Sequence, residues 1–381
     1  MTVKQLVGKL HLWLGLASGL VVFIVSLTGA IFVFQDDIRD LTEPWRTVEA
    51  QATAMALPSQ LQAAALAPHL GQATPADTWV TYFGPERSAT VFFTDKAGNP
   101  IQVYLNPYTG QVLKEQNLRT HFFSIVQEIH MHLLLPEAIA KWVVGGSVII
   151  FVVMLLTGLV LWWPKRKHER KQRFTIKWGA RWRRVNYDLH NVLGFYAASI
   201  GLVLALTGLV MIFPWMLESV QLAVDGGKKA PPELMTTQLD TLQTVSAATQ
   251  PLPDVVYRNV RHLSPTHEMI LIGPTGTGKT PTYCWTYQKA LHYYHRDDYA
   301  FHPISGKLLE SRFHATKSAG TKISDMNYDL HTGQILGFGG KLVAFLASLI
   351  SASLPVTGTV IWWGRRHKKT PHKRPVRVAV G

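Results

Sequence analysis

Four stretches of the chain are apolar without interruption: Leu12 to Phe34, Trp142 to Trp163, Val192 to Phe213 and Leu342 to Trp363. None holds Asp, Glu, Lys or Arg, and each runs 22 or 23 residues. At roughly 1.5 Å per residue, a helix of that length crosses a hydrocarbon core of about 30 Å. Between the runs the period changes. Residues 57–70 are rich in Ala and Leu and predict a helix, whereas Trp79 to Phe83, Ala89 to Phe93 and Ile101 to Leu105 predict short strands between Gly and Pro turns. Farther on, Glu268 to Gly273 and Thr282 to Tyr287 read as strands too. The pattern predicts a membrane protein: an all-α four-helix transmembrane bundle with two α+β lobes outside it.

Charge sets the orientation. The net charge of +14 is the kind of surplus a nucleic-acid binder carries, so its location matters. Residues 1–10, 164–189 and 364–381 hold 19 of the 38 Lys and Arg against two acids, a surplus of 17, while the rest of the chain has 19 basic and 22 acidic residues. Basic residues crowd the short segments beside the helices, as the positive-inside rule requires. Both termini and the 164–189 loop are therefore expected in the cytoplasm, and no nucleic acid is implied. The boundaries are helix 1 in 1–34, lobe 1 in 35–137, helix 2 in 138–163, a basic loop in 164–189, helix 3 in 190–213, lobe 2 in 214–337, helix 4 in 338–363 and a basic tail in 364–381. The first apolar run is too long for a signal-peptide core, and the small residues at 52–56 lie well beyond its end. Cys284 is the single cysteine, so no internal disulfide forms.

The chain is duplicated. Lys9-Leu-His-Leu-Trp-Leu-Gly15 opens helix 1 and Asp188-Leu-His-Asn-Val-Leu-Gly194 opens helix 3, and in both a Thr-Gly pair follows 17 residues after the histidine. Helices 2 and 4 each carry Thr-Gly (Thr157-Gly158, Thr357-Gly358), then a Trp pair at 162–163 or 362–363, then Lys and Arg. Upstream of them stand Ile129-His130 and Leu330-His331. The lobes repeat as well, with Asn106-Pro-Tyr-Thr-Gly-Gln-Val-Leu113 matching His302-Pro-Ile-Ser-Gly-Lys-Leu-Leu309.

These motifs resemble the PepSY-associated transmembrane family over nearly the whole chain, and within it the ferrisiderophore reductases of the FoxB kind. The resemblance implies the bacterial inner membrane, PepSY-like periplasmic lobes, b-type haem and a link to iron uptake.

Ionisable residues at the margins of membrane helices are costly and usually functional. His11 and His190 begin the odd helices on the cytoplasmic side; His130 and His331 stand near the outer starts of the even ones. Haem iron takes axial imidazoles from opposite faces of the macrocycle, so two facing helices hold it with one His each. Two same-side pairs, His11 with His190 and His130 with His331, suggest two non-covalent bis-His haems b, since Cys-x-x-Cys-His is absent from the sequence. His132 is a reserve ligand, because positions i and i+2 point to nearly opposite helix faces. An interfacial wet imidazole is the bland reading of each histidine alone; repetition favours ligation. Asp188 and Asp329, two residues before their histidines, read either as acceptors orienting the imidazoles or as helix-capping acids. The Trp pairs read as interfacial belts.

Gly273 to Thr280 satisfies the phosphate-loop pattern, but Pro281 and a strand follow where a helix is needed to present amides to phosphate. ATP is not expected as a ligand. The polar-aromatic run His292 to Tyr299 reads either as a docking surface for an iron chelate or as a hairpin with a solvated turn; His121 and His314 stand ahead of the outer histidines and are assigned no role. The expected function is a dihaem reductase passing electrons from an outside donor, a cytoplasmic reductase or quinol, to a periplasmic ferric siderophore, with membrane lipid around the helices. The rival is a non-enzymatic module whose lobes bind peptides or regulate a partner. No catalytic residue is legible.

Overall fold

A computed structural model describes residues 1–164, 170–229, 248–275 and 280–367. Its helices are α1 (Val3–Val33), α2 (Gln35–Thr42), α3 (Pro58–Leu66), α4 (Phe122–His132), α5 (Glu137–Trp162), α6 (Arg170–Phe174), α7 (Trp182–Ile212), α8 (Pro214–Val224), α9 (Leu252–Leu263), α10 (Ala319–His331) and α11 (Gly337–Arg366). The strands are β1 (Trp79–Phe83), β2 (Ala89–Thr94), β3 (Pro100–Leu105), β4 (Val112–Asn117), β5 (Met269–Ile272), β6 (Thr282–Tyr287), β7 (Arg296–Phe301) and β8 (Leu308–Arg312).

Helices α1, α5, α7 and α11 are each long and apolar enough to cross a membrane. They form a ring in which α1 packs on α5 and α11, and α7 packs on the same two. Thus α1 and α7 occupy opposite corners, as do α5 and α11. The helices outrun the apolar stretches: α7 starts at Trp182 and takes in the last part of the expected basic loop. Backbone hydrogen bonding continues past the point where apolar side chains stop, because the last turns lie where water or headgroups solvate charged residues.

His130 and His331 do not sit on the long helices. They lie near the ends of α4 and α10, two shorter helices set off from α5 and α11. Leu133 and Leu134 adopt positive φ values of 54° and 60° and Pro136 precedes α5. On the other side Gly333 has φ 75°, and a Cβ there would collide with the backbone of Gly340. The break in each half lets a short helix tilt its histidine over the bundle.

The two lobes expected as separate domains share one sheet. All eight strands join in the antiparallel order β4-β3-β2-β1-β5-β6-β7-β8, and the halves meet where Val80 pairs with Ile272 and Tyr82 with Ile270. Four strands alone would leave β1 or β5 with an unpaired edge, and pairing them satisfies both. One face is covered by α3 and α9, making one core of Leu61, Val80, Val91, Phe93, Val256, Ile270 and Phe301, all at most 1% exposed. Each such side chain contributes about 1.5–3 kcal/mol when fully buried. A cross-half clasp reinforces the join: Ser59 donates its amide and hydroxyl to the two carboxylate oxygens of Asp254, at 2.8 and 2.7 Å.

Strands β1, β2, β3, β5 and β6 fall within a residue or so of their expected places. Strands β4, β7 and β8 carry too many charged residues for their alternation to show. The phosphate-loop lookalike is flanked by β5 and β6, which pair antiparallel; Gly276 to Lys279 lie outside the described residues.

Candidate functional site

At the basic end of the bundle, His11 on α1 and His190 on α7 line a common cavity of about 470 Å³ between all four long helices. At the sheet end, the rings of His130 and His331 stand 6.1 Å apart, centroid to centroid, with planes inclined by 62°. The structure therefore brings the four histidines together as two pairs, one at each end. His132 joins neither: its Nδ1 lies 3.0 Å from Glu128 on the outside of α4.

Each histidine is held by a Thr-Gly pair. His11 Nδ1 is 2.9 Å from Thr157 Oγ1, His190 Nδ1 2.9 Å from Thr357 Oγ1, and His331 Nδ1 2.9 Å from Thr207 Oγ1. His130 Nδ1 lies 2.9 Å from the carbonyl of Val25 and 3.3 Å from Thr28 Oγ1. The arrangement is reciprocal: α1 offers His11 to α5 and Thr28 to α4, and α7 offers His190 to α11 and Thr207 to α10.

These contacts decide the tautomer. A threonine hydroxyl has one proton, and each of the four sends it to a carbonyl one turn back. Thr157 donates to Val153, Thr207 to Val203 and Thr357 to Ser353, at 2.7, 2.7 and 2.9 Å, and Thr28 to Ile24 at 2.8 Å. The hydroxyl is left as an acceptor, so the imidazole must donate Nδ1–H to it. For His130 the Val25 carbonyl imposes the same choice. All four rings thus carry the proton on Nδ1 and a lone pair on Nε2, the form that ligates metal. At the sheet end burial also pushes both imidazoles below their ordinary value, His331 to about 4 with a smaller push from His130, which keeps them neutral.

The glycine of each pair makes room for the ring. A Cβ at Gly29 would stand 2.9 Å from His130 Cε1, and at Gly158, Gly208 and Gly358 the distances to His11, His331 and His190 are 3.4, 3.3 and 3.3 Å. Asn186 and Asn327, four residues before His190 and His331, donate to the carbonyls of Thr357 and Thr207, both at 3.1 Å. The acids do something else. Asp188 accepts from the Lys177 amide and Arg184, and Asp329 from the amides of Tyr293 and Tyr294. Among the described residues neither carboxylate has a hydrogen bond to an imidazole; the threonines take that role. The sequence signal was present in the Thr-Gly repeats, but only the packing shows which histidine each one meets.

The pairs fit haem. With a metal–imidazole distance of roughly 2 Å on each side, two axial rings need centroids roughly 6.3 Å apart. Among the described residues no group of three or more His, Cys, Asp or Glu could hold a metal ion. The 470 Å³ cavity lies within the range of cofactor sites, its walls lined by Gly8, Gly15 and Gly194 and its rim by Lys4, Arg173 and Arg365. Only one tryptophan of each pair behaves as a belt residue. Trp163 and Trp363 are exposed, whereas Trp162 and Trp362 line the cavity, Trp162 stacked 3.9 Å from Phe195.

The run from His292 is not a solvated turn. Tyr293 packs between Tyr287 and Tyr328, at 5.4 and 5.2 Å, and Asp297 and Asp298 are buried. His121 binds Glu43 at 2.9 Å, and His314 stacks on His295 at 4.3 Å.

Four apolar helices, a duplicated unit and an extramembrane antiparallel sheet define the class as a polytopic membrane protein with paired intrahelical histidines. The model of the PepSY-associated TM region matches residues 9–365, and the chain belongs to that family. No curated protein matches it.

Proposed function

We propose that the protein is a dihaem reductase of the bacterial inner membrane that carries electrons from the cytoplasm to a periplasmic ferric chelate, a ferrisiderophore, and so releases iron. The observation that carries this reading is the fourfold Thr-Gly clamp, which gives four imidazoles the same Nδ1–H tautomer in two pairs at opposite ends of the bundle. A peptide-binding or regulatory module would not require that arrangement. His11 and His190 would hold one b-type haem, His130 and His331 the other, and each group supplies a one-electron couple when bound. The surplus of 17 positive charges in residues 1–10, 164–189 and 364–381 supports a cytoplasmic place for the His11–His190 end, where a reductase or a membrane quinol would donate electrons. One electron per ferric ion suffices, because hard oxygen ligands hold Fe(II) far less well than Fe(III).

The decisive measurement is an oxidised and reduced absorption spectrum of the purified protein, with haem counted per chain. Two low-spin haems are expected. A folded preparation, supplied with haem and containing none, overturns the reading.

A further inference from the structure

A second cavity, of about 260 Å³, lies between the sheet and helices α2 and α4. Arg39, Arg46 and Arg87 line it together with a single acidic residue, Asp36. The other acids that orient these forks do not line it. Arg87 grips Asp40 through both terminal nitrogens, at 3.0 and 2.7 Å. Arg46 spans Asp40 and Asp36, each at 2.8 Å, and Arg39 binds Glu43 at 3.0 Å while reaching the Tyr104 hydroxyl at 2.6 Å. A guanidinium has five donors, more than these partners occupy. Asp36, Asp40 and Glu43 hold the forks in place, and the donors these acids do not take are what a ligand in the cavity would meet.

The cavity also stands beside the sheet-end histidines. Gln127 lines it from α4, three residues and about 4.5 Å of helix before His130. Tyr293 lines it from the other side and touches Tyr328, three residues before His331. The duplication supplies an internal control. By the repeated turn, Gln102 and Tyr104 of this cavity correspond to Asp298 and Ala300. There Lys317 is buried and bonded to Asp298 and Asp325 at 2.6 Å each, and Arg296 binds the same two acids. Both halves pair their cations with internal acids, but in the first half the paired arginines also line an open volume.

We propose that this cavity is a carboxylate-binding site, sized for a small oxygen-rich anion and matched by fork geometry to carboxylate oxygens. Building on the reductase reading, its ligand is the carboxylate face of a ferric polycarboxylate chelate rather than a neutral hydroxamate one. Carboxylates reach this place from two sources, an external chelate or the acid side chains of a haem held by His130 and His331, and the test separates them.

The test uses the full-length, haem-loaded protein and Ga(III)–citrate, a redox-inert stand-in for the ferric complex, with binding followed by calorimetry. Wild type should bind saturably and more weakly at higher salt. Arg39→Gln and Arg87→Gln should each weaken binding tenfold or more, with Arg87→Lys intermediate, while a neutral Ga(III)–trihydroxamate shows no such difference. If citrate does not bind but the variants shift the midpoint potential of one haem component, the cofactor supplies the carboxylate. Folded variants that change neither binding nor potential, as judged by wild-type circular dichroism, overturn the site. Intact Ga(III)–citrate binding in a protein that reduces no ferric chelate would instead retain the site and refute the reductase reading.

Discussion

His130 and His331 come from opposite halves of the chain, yet their rings stand 6.1 Å apart and each donates through Nδ1 to a different long helix, His130 to Val25 and His331 to Thr207. The duplication therefore builds the site as well as the scaffold. Each half contributes one imidazole and its clamp, and neither half completes a pair alone. At the other end His11 and His190 share the 470 Å³ cavity in the same way.

Histidine substitutions should sort by end. Along α1, the 17 residues from His11 to Thr28 span about 26 Å, so one macrocycle cannot reach both pairs. His11→Ala and His190→Ala should remove the same spectral and redox component, and His130→Ala and His331→Ala the other. His132→Ala should leave both, since Glu128 is its partner. Loss of the sheet-end component in His132→Ala but not in His130→Ala would contradict the placement of α4.

The threonine clamp makes a graded prediction. Thr207→Val and Thr357→Val each strip the acceptor from a buried Nδ1–H, at a cost of about 1–3 kcal/mol, and should weaken haem retention about 10–100-fold, as loss of such ligand-orienting partners does. Thr→Ser at the same positions should restore it. Thr28→Val should be milder, because Val25 keeps the proton of His130. Haem retention during gel filtration and redox titration of the surviving component check this. Equal losses at Thr28 and Thr207 would show that the hydroxyl is not the operative acceptor.

Reporter fusions test the orientation. Fusions after residues 100 and 270 should report the periplasm, and one after residue 175 the cytoplasm. The reverse pattern at any of the three would invert the layout and with it the direction of electron flow.

Sequence alone determined what depends on local composition and repetition. Uncharged runs of 22 or 23 residues locate four spans because a bilayer selects for length and hydropathy, and recurring His, Thr-Gly and Trp-Trp motifs expose the duplication. Five strands were legible from their alternation, whereas β7 was not, since Asp297 and Asp298 are charged yet buried against Ser264, Arg296 and Lys317. Tertiary structure decided everything that joins distant positions. Thr157 is 146 residues from His11, and nothing in either motif says that α5, and not α7 or α11, will supply the acceptor. Ring packing of the helices sets that choice. Likewise β1 and β5 each look like the edge of a complete lobe; only the need to pair their exposed N–H and C=O groups joins them into one sheet. That sheet also closes over α2 and α4, and so the arginine-lined cavity exists only in the folded chain.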